Sequence, residues 1–473
     1  MNKGYRLHLD YLKKHPTGSQ LLSLNPDMFA PDIWPSYGEA VGPVTLKGVD
    51  GKHYLDLSTS GIGCNPFGYL DPDITFAVID AVLRGGVCTL QAVEQIELTE
   101  LLLDIHKWAD MAVYGLTGKD ACEIAIRIAR TATGRDKVAI GGYHGCGDWY
   151  LAANLPYEVV DIAYDGPHTH DKEWAMKQGY DLSVWPRLGR RGRQHTDALK
   201  NVLLPGLNAE GIPKGLAGTA HVFHHNNVEE LNTLVDAHGD SLAAIIFEIQ
   251  RGPRPTPEFL SALLRAKRKT GAVLICDEIT SGFRKSTGGI HKLFEFAPDI
   301  AVFGKALGSG QPISAVIGRE EVMKEAPRTF LSSTYWTWRP GFASAIATIK
   351  KMQGNISNAM ENNGKLFQEI VTELAEVYGV ECDVGHEDMT PLSHCWMPDD
   401  AMATLMTAEF VKRGILFGGD FYPTRAHTAE HLEEFRQAGH EVFSILGGAQ
   451  QNGDAVDRLL GKVRNSRFER LAR

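Results

Sequence analysis

The sequence predicts an α/β fold: a mostly parallel sheet flanked by helices. Three observations carry this expectation. First, two runs of strand length, Ala272–Cys276 and Asp299–Phe303, each lead into charge. The first delivers Asp277 and Glu278, the second Gly304 and Lys305. A short β-branched run that ends in a charge marks the carboxyl end of a parallel strand, where α/β sheets place their ligands. Second, SLAAIIFEIQRGPRPTPEFLSALLRAKRKTG reads as strand, loop and helix and leads directly into the Ala272 run. That is a βαβ crossover, right-handed by default. Third, MAVYGL and TGKDACEIAIRIARTATG read as strand, turn and helix, and KVAIGG supplies a further strand.

Composition narrows the class. A chain of 473 residues exceeds one ordinary domain and can bury a large core. Hydrophobic content of 43% and charged content of 22% are those of a soluble globular protein. A net charge of −10 argues against a general nucleic-acid binder, which would be basic. The seven cysteines are scattered, odd in number and lack a C-x-x-C pair, so free thiols in a reducing cytoplasm are expected. The first residues, MNKGYRLHLDYLKKHP, hold no apolar core of a signal peptide, and no apolar run approaches a membrane span.

In chain order, a short helix is expected at Tyr5–Lys14, and Pro26, Pro31 and Pro35 keep the following residues irregular. VTLKGVDGKHYLDLS reads as a hairpin about a Val-Asp-Gly turn. Asp71-Pro72 opens a helix expected to run from Pro72 to Leu83. A longer helix is expected over Val93–Trp108, with Ile96, Leu98, Leu101, Leu102 and Ile105 inward. The glycines from Gly61 do not make a dinucleotide fingerprint, because Pro66 stands where a glycine is required, and there is no P-loop. Residues from about 160 to 208 read as an insertion carrying Arg187, Arg190, Arg191 and Arg193. It is either a solvated loop or an anion-binding lid. The histidines around it show no metal-ligand spacing, so no metal is expected. Beyond residue 345, strands are expected in GVECDVG and GILFGGDFY, and a closing helix in RAHTAEHLEEFRQAGHEVFSIL.

An aspartate and a lysine at neighbouring strand ends suit one chemistry in particular. Pyridoxal phosphate (PLP) forms a Schiff base with a lysine amine, and a carboxylate pairs with its pyridinium nitrogen and sustains the electron sink. VLICDEITSGFR and PDIAVFGKALGSGQPISAVIG resemble the signature of the class III aminotransferases, PLP enzymes of fold type I. Within that class the chain is most similar to the glutamate-1-semialdehyde aminomutase-like branch. The resemblance implies a smaller α+β domain built from both chain ends, with 1–55 as part of it, 56–340 as the large domain and 341–473 as the rest of the small domain. The resemblance implies that Lys305 is the Schiff-base lysine, Asp277 the pyridinium partner, and Ile279 the aliphatic side chain on one face of the ring. TGKDA is similar to the family's Ser-Gly-Thr-Glu-Ala motif, which places Gly118 and Lys119 at the cofactor phosphate on a helix N-terminus. Thr117, Lys119 and Asp120 depart from that motif. Tyr143-His144-Gly145 resembles the motif whose aromatic stacks on the other face of the ring. Glu248 matches the family's strand-end glutamate. Thr334 matches the residue that donates to the phosphate in the other subunit, which implies a homodimer with shared sites.

The carry-over is looser elsewhere. Tyr335-Trp336-Thr337-Trp338-Arg339 replaces a small Gly-Asn step, so Trp336 is expected to reshape the substrate site. Arg425, before the closing helix, is a candidate for a substrate carboxylate, or an ordinary surface arginine. The activity implied is transfer of an amino group from an amino-acid donor to a ketone or aldehyde. An intramolecular aminomutase and a non-catalytic PLP-fold binding protein are the alternatives. The segment PDMFAPDIWPSYGE lacks the arginine that the aminomutases carry for the substrate carboxylate. Neither nucleic acid nor membrane is expected as a partner.

Overall fold

A computed structural model describes residues 2–155, 198–201, 207, 209–353, 356–459 and 461–465. The arginine-bearing part of the expected insertion, including Arg187, Arg190, Arg191 and Arg193, lies outside the described residues. The strands, in chain order, are β1 (Gly38–Gly42), β2 (Thr45–Gly48), β3 (His53–Asp56), β4 (Met111–Gly115), β5 (Lys137–Gly141), β6 (Ala220–Val222), β7 (Leu242–Glu248), β8 (Val273–Asp277), β9 (Ile300–Phe303), β10 (Ser314–Gly318), β11 (Asp383–Val384), β12 (Ser393–Trp396), β13 (Ile415–Leu416) and β14 (Asp420–Phe421). The chain forms two compact units, one of residues 1–128, 248–255 and 275–473, the other of residues 129–247 and 256–274.

In the first unit, β9 pairs parallel with the end of β8 and antiparallel with β10, and β10 pairs antiparallel with β4. The register sets Asp277 opposite Val302, one residue short of the end of β9. The expected hairpin forms as β2 and β3, and β13 adds to β3 in parallel. Its apolar residues Val44, Leu55 and Leu57 enter one core with Phe367, Phe410, Phe417, Phe435 and Phe443, so both chain ends build that core. β12 lies between β11 and β14. The helix Pro72–Leu83 has the expected bounds: Asp71 caps it, accepting from the Ile74 N–H, and Pro72 begins it without a wasted donor. The helix Arg339–Met352 packs against it and against Glu94–Ile105.

Two helices differ from expectation for visible reasons. The first runs Lys3–Leu12, because the Asn2 side chain caps it through the Tyr5 N–H at 2.7 Å. The second runs Glu94–Ile105, not Val93–Trp108. His106 leaves the helix, bonding Leu102 O through Nδ1 while its Nε2 accepts from the Gly289 N–H. Of the expected inward face, Leu98 and Leu102 are buried, but Ile96 is 61% exposed. Glu94 turns inward instead, paired with Arg84 and Arg339.

In the second unit β5 runs parallel to both β6 and β7. Every residue of β7 is buried, as expected for a strand covered on both faces. The helices Val228–His238 and Pro257–Thr270 pack against one another. Thr256 caps the second through the Phe259 N–H, and Gly271, at φ +69°, ends it.

Candidate active site

The strand ends deliver the two predicted groups. Asp277 is 2% exposed, and its Oδ1 accepts from the Ile279 N–H at 2.9 Å. Its Oδ2 accepts from the Cys122 thiol at 3.4 Å. The carboxylate is thereby aimed by the turn that follows β8. Behind it, Glu278 is fully buried and accepts from Ser281 Oγ and from both the backbone N–H and Nδ1 of His291. Trp108 Nε1 donates to His291 Nε2, so the ring is held in its Nδ1–H form.

After β9 the chain passes through Gly304 into Lys305, whose φ is +44°. A left-handed lysine costs about 1–2 kcal/mol, a strain typical of residues whose placement matters to function. Lys305 Nζ donates to Thr280 Oγ1 at 2.9 Å, which joins the end of β9 to the turn after β8. Burial, then the charge of Arg251, lowers the lysine pKa to about 8; Glu248 opposes this and Arg284 adds to it. A neutral amine is therefore accessible there close to neutral pH.

Two arginines not singled out from sequence stand at this site. Arg284 is 1% exposed. Its Nε donates to Thr280 O at 2.6 Å and its Nη2 to Gly63 O at 2.9 Å, and it lies over the Tyr422 ring. Burial lowers its pKa to about 10. A Cβ at Gly63 would fall 1.8 Å from Arg284 Nη2, so only glycine fits there. Arg251 follows β7 and pairs with Glu248 at 3.4 Å. Burial would lower its pKa, but Glu248, Tyr422 and Asp420 together raise it. The signals that could have marked these residues were the Glu-x-x-Arg spacing after β7 and the glycine-rich SGIGC run opposite Arg284.

At the predicted phosphate motif the helix Gly118–Thr133 opens on a reciprocal cap. Thr117 Oγ1 accepts from the Asp120 N–H, and Asp120 Oδ2 accepts from the N–H groups of Leu116 and Thr117. Lys119 Nζ pairs with Glu123 at 2.7 Å. A Cβ at Gly118 would meet Ile279 Cγ2 at 2.9 Å, so the missing side chain lets the helix start close on Ile279.

The remaining candidates are placed as follows. Glu248 is buried beside Arg251. Thr334 is exposed on the turn Thr334–Thr337, and Trp336 is half-buried on the same turn. The neighbouring Trp338 ring packs on Gly86, where a Cβ would fall 2.4 Å from it. Arg425 is exposed, and its backbone N–H donates to Pro66 O. Tyr143 lies beyond β5 in the second unit, edge-on to Tyr150 at 5.8 Å. The first unit alone thus holds an amine with a depressed pKa, a buried carboxylate and a glycine-opened helix start. That donor set fits pyridoxal phosphate.

Comparison with known proteins agrees. The class-III aminotransferase family model matches residues 34–160 and 210–384. A 3-aminobutyryl-CoA aminotransferase of Cloacimonas acidaminovorans (strain Evry) is 30% identical over 364 residues, 75% of this chain and 74% of that protein. A glutamate-1-semialdehyde 2,1-aminomutase of Methanothermobacter thermautotrophicus is 24% identical over 440 residues, 88% of this chain and 94% of that protein. Among solved structures, the FumI protein of Sphingopyxis sp. MTA144, in its PLP-bound form, superposes with a TM-score of 0.76 at 18% identity. It covers 97% of this chain and 99% of its own. The fold is therefore fold type I, and the chain belongs to the class-III aminotransferases, PLP-dependent enzymes that transfer amino groups.

Proposed function

We propose that this aminotransferase works through Lys305 and Asp277, with Gly118, Lys119 and Ile279 holding the cofactor and Thr334 completing the phosphate site of a second copy in a homodimer. The single observation that carries the reading is the depressed lysine pKa, about 8, at a strand end that also holds a buried aspartate. Pyridoxal phosphate supplies the electron sink that acidifies the substrate carbon bearing the amine. Asp277 accepts from the ring nitrogen and keeps it protonated. Ile279, pressed against Gly118, sets one wall for the ring. With the cofactor bound, Lys305 Nζ would hold it until an amine displaces it, and as a neutral amine would take the proton from the substrate carbon and return it at the cofactor carbon on the far side of the amine nitrogen. Thr280 Oγ1, its hydrogen-bond partner at 2.9 Å, orients that amine for the transfer. The three-part division at residues 55 and 340 is proposed as the domain organisation, and the free cysteines favour a reducing, cytoplasmic setting.

The test is the visible spectrum of PLP-loaded protein before and after addition of glutamate or alanine, with released keto acid measured in parallel. The expected outcome is loss of the visible band with one keto acid per site. Lys305→Ala is expected to slow that conversion by at least ~10²-fold, the range for removal of a positioned acid–base group. A band that ignores every amino donor would end the aminotransferase reading. Rearrangement of an amine within one molecule, without keto-acid release, would favour the aminomutase reading that relatives of that name keep in play.

A further inference from the structure

We propose that Cys382 and Cys395 form a reversible oxidation site, at which a small hydroperoxide closes the two thiols into one disulfide. The inference stands apart from the aminotransferase reading, because neither cysteine belongs to the Lys305 site.

The strands set the pair. β11 and β12 are antiparallel, with Val384 opposite Cys395. Side chains alternate along a strand, so Cys382, two residues before Val384, points to the face that Val384 and Cys395 share. Burial follows that alternation: Glu381 and Asp383 are exposed, while Cys382 and Val384 turn partly inward. Both pack against the core that contains Cys395. There the two thiols meet, the Cys395 S–H donating to the Cys382 sulfur. Cys122 and Cys276, also buried, donate instead to the carboxylates of Asp277 and Glu278.

The two cysteines differ in the way that oxidation needs. Cys382 lines a groove of about 370 Å³ with Ala375, Gly379, Val384 and Gln450, which opens a path to its sulfur. Cys395 is 0% exposed. The bond from Cys395 draws the Cys382 thiol below its ordinary pKa, against burial and the Asp383 charge. The same bond, with burial second, pushes the Cys395 thiol up, so Cys395 keeps the shared proton. An accessible thiolate beside a second thiol is the arrangement that peroxide oxidises to a disulfide. Glu376 and Glu381 also line the groove, and Asp383 adjoins it. That acidic rim repels anionic thiols such as glutathione and admits neutral hydrogen peroxide.

The chemistry balances in two steps. The Cys382 thiolate attacks one peroxide oxygen; the O–O bond breaks, hydroxide leaves and a sulfenic acid forms. The Cys395 sulfur then attacks the Cys382 sulfur; the S–O bond breaks, and the departing hydroxide leaves as water with the Cys395 proton. The sulfur pair loses two electrons and the peroxide gains them. A dithiol reductant reverses the link by thiol–disulfide exchange.

The experiment treats reduced, PLP-loaded wild type, Cys382→Ser and Cys395→Ala with hydrogen peroxide. Remaining thiols are alkylated and digests are read by mass spectrometry. Wild type is expected to yield one peptide pair joined through Cys382 and Cys395, lacking two hydrogens and restored by dithiothreitol. In Cys382→Ser the link is expected to vanish, with Cys395 recovered as a thiol. In Cys395→Ala, Cys382 is expected to stop at the sulfenic acid, which dimedone traps. With excess glutathione present, the link within the chain is expected to remain the main product. The proposal is overturned if Cys88 and Cys146 oxidise while Cys382 stays alkylated, or if Cys382 ends mainly as a glutathione adduct or a link between chains. Should Cys395→Ala fail to fold, wild type and Cys382→Ser decide alone, because Cys382 is partly exposed and serine is close to it in size.

Discussion

A lysine amine in water keeps its proton until about pH 10.4. In this fold Lys305 loses it at about 8, through burial first and the Arg251 charge second. Two consequences follow for the apoprotein. Capture of pyridoxal phosphate requires the neutral amine, so its rate is expected to climb with pH and level off above about 8. Arg251→Gln, by removing a facing cation, is expected to move that midpoint up, and Glu248→Gln to move it down. Stopped-flow absorbance checks both, with Arg284 and Cys64 unchanged around the amine. The stability sign is the second consequence. Between about pH 8 and 10.4 the unfolded chain binds a proton at Lys305 that the folded chain does not, so this group makes stability rise with pH across that window. Gly63 is held as tightly as the lysine. Its φ is +74°, and a methyl there would meet Arg284 Nη2 at 1.8 Å. Gly63→Ala is expected to cost about 2–4 kcal/mol in denaturant unfolding, because a buried guanidinium must move and leave carbonyls unpaired.

At the scale of elements, helix starts do much of the organising. Asp71 caps Pro72–Leu83 and also receives Lys351 Nζ on both carboxylate oxygens, at 2.9 and 2.7 Å. Both side chains are under one fifth exposed, so the pair is better shielded than a surface bridge. It ties that helix to Arg339–Met352, the helix that follows the Thr334 turn. Asp71→Ala is expected to cost about 1–3 kcal/mol, from a lost cap and a partly buried lysine left with Asp73 alone. Asp71→Asn keeps a capping oxygen and is expected to cost about half as much by thermal unfolding. The start of Gly118–Thr133 follows the same logic with a different outcome. Its cap is made by Thr117 and Asp120, so two departures from the family motif still close the helix as a reciprocal box.

At the scale of the whole molecule, the helix Pro72–Leu83 is apolar on two sides. Ile74 and Ala81 are buried, yet Phe76, Ile79 and Leu83, one turn apart, are 69%, 49% and 81% exposed. Leu90 at 80% and Phe330 at 81% add to the exposed apolar surface of the same unit. Large apolar patches of this kind mark interaction surfaces, and the proposed homodimer gives this one an occupant. Phe76→Glu with Leu83→Glu is expected to yield a monomer by analytical ultracentrifugation and to weaken retention of pyridoxal phosphate. A double variant that stays dimeric would place the interface elsewhere.

The features of this protein that depend on near neighbours along the chain were legible in its residues. Asp71-Pro72 set a helix start, the β2–β3 hairpin followed from its turn, and two apolar runs carried Asp277 and Lys305 to strand ends because strand length and strand-end chemistry are local properties. A helical stripe could not decide whether Ile96 or Glu94 faces inward, since that depends on Arg84 and Arg339 arriving from other segments. Nor could spacing reveal Arg251 and Arg284. Only the tertiary structure brought those guanidinium groups, from loops distant in sequence, to the Lys305 amine, because burial and Coulomb attraction act through space and leave no period in the chain.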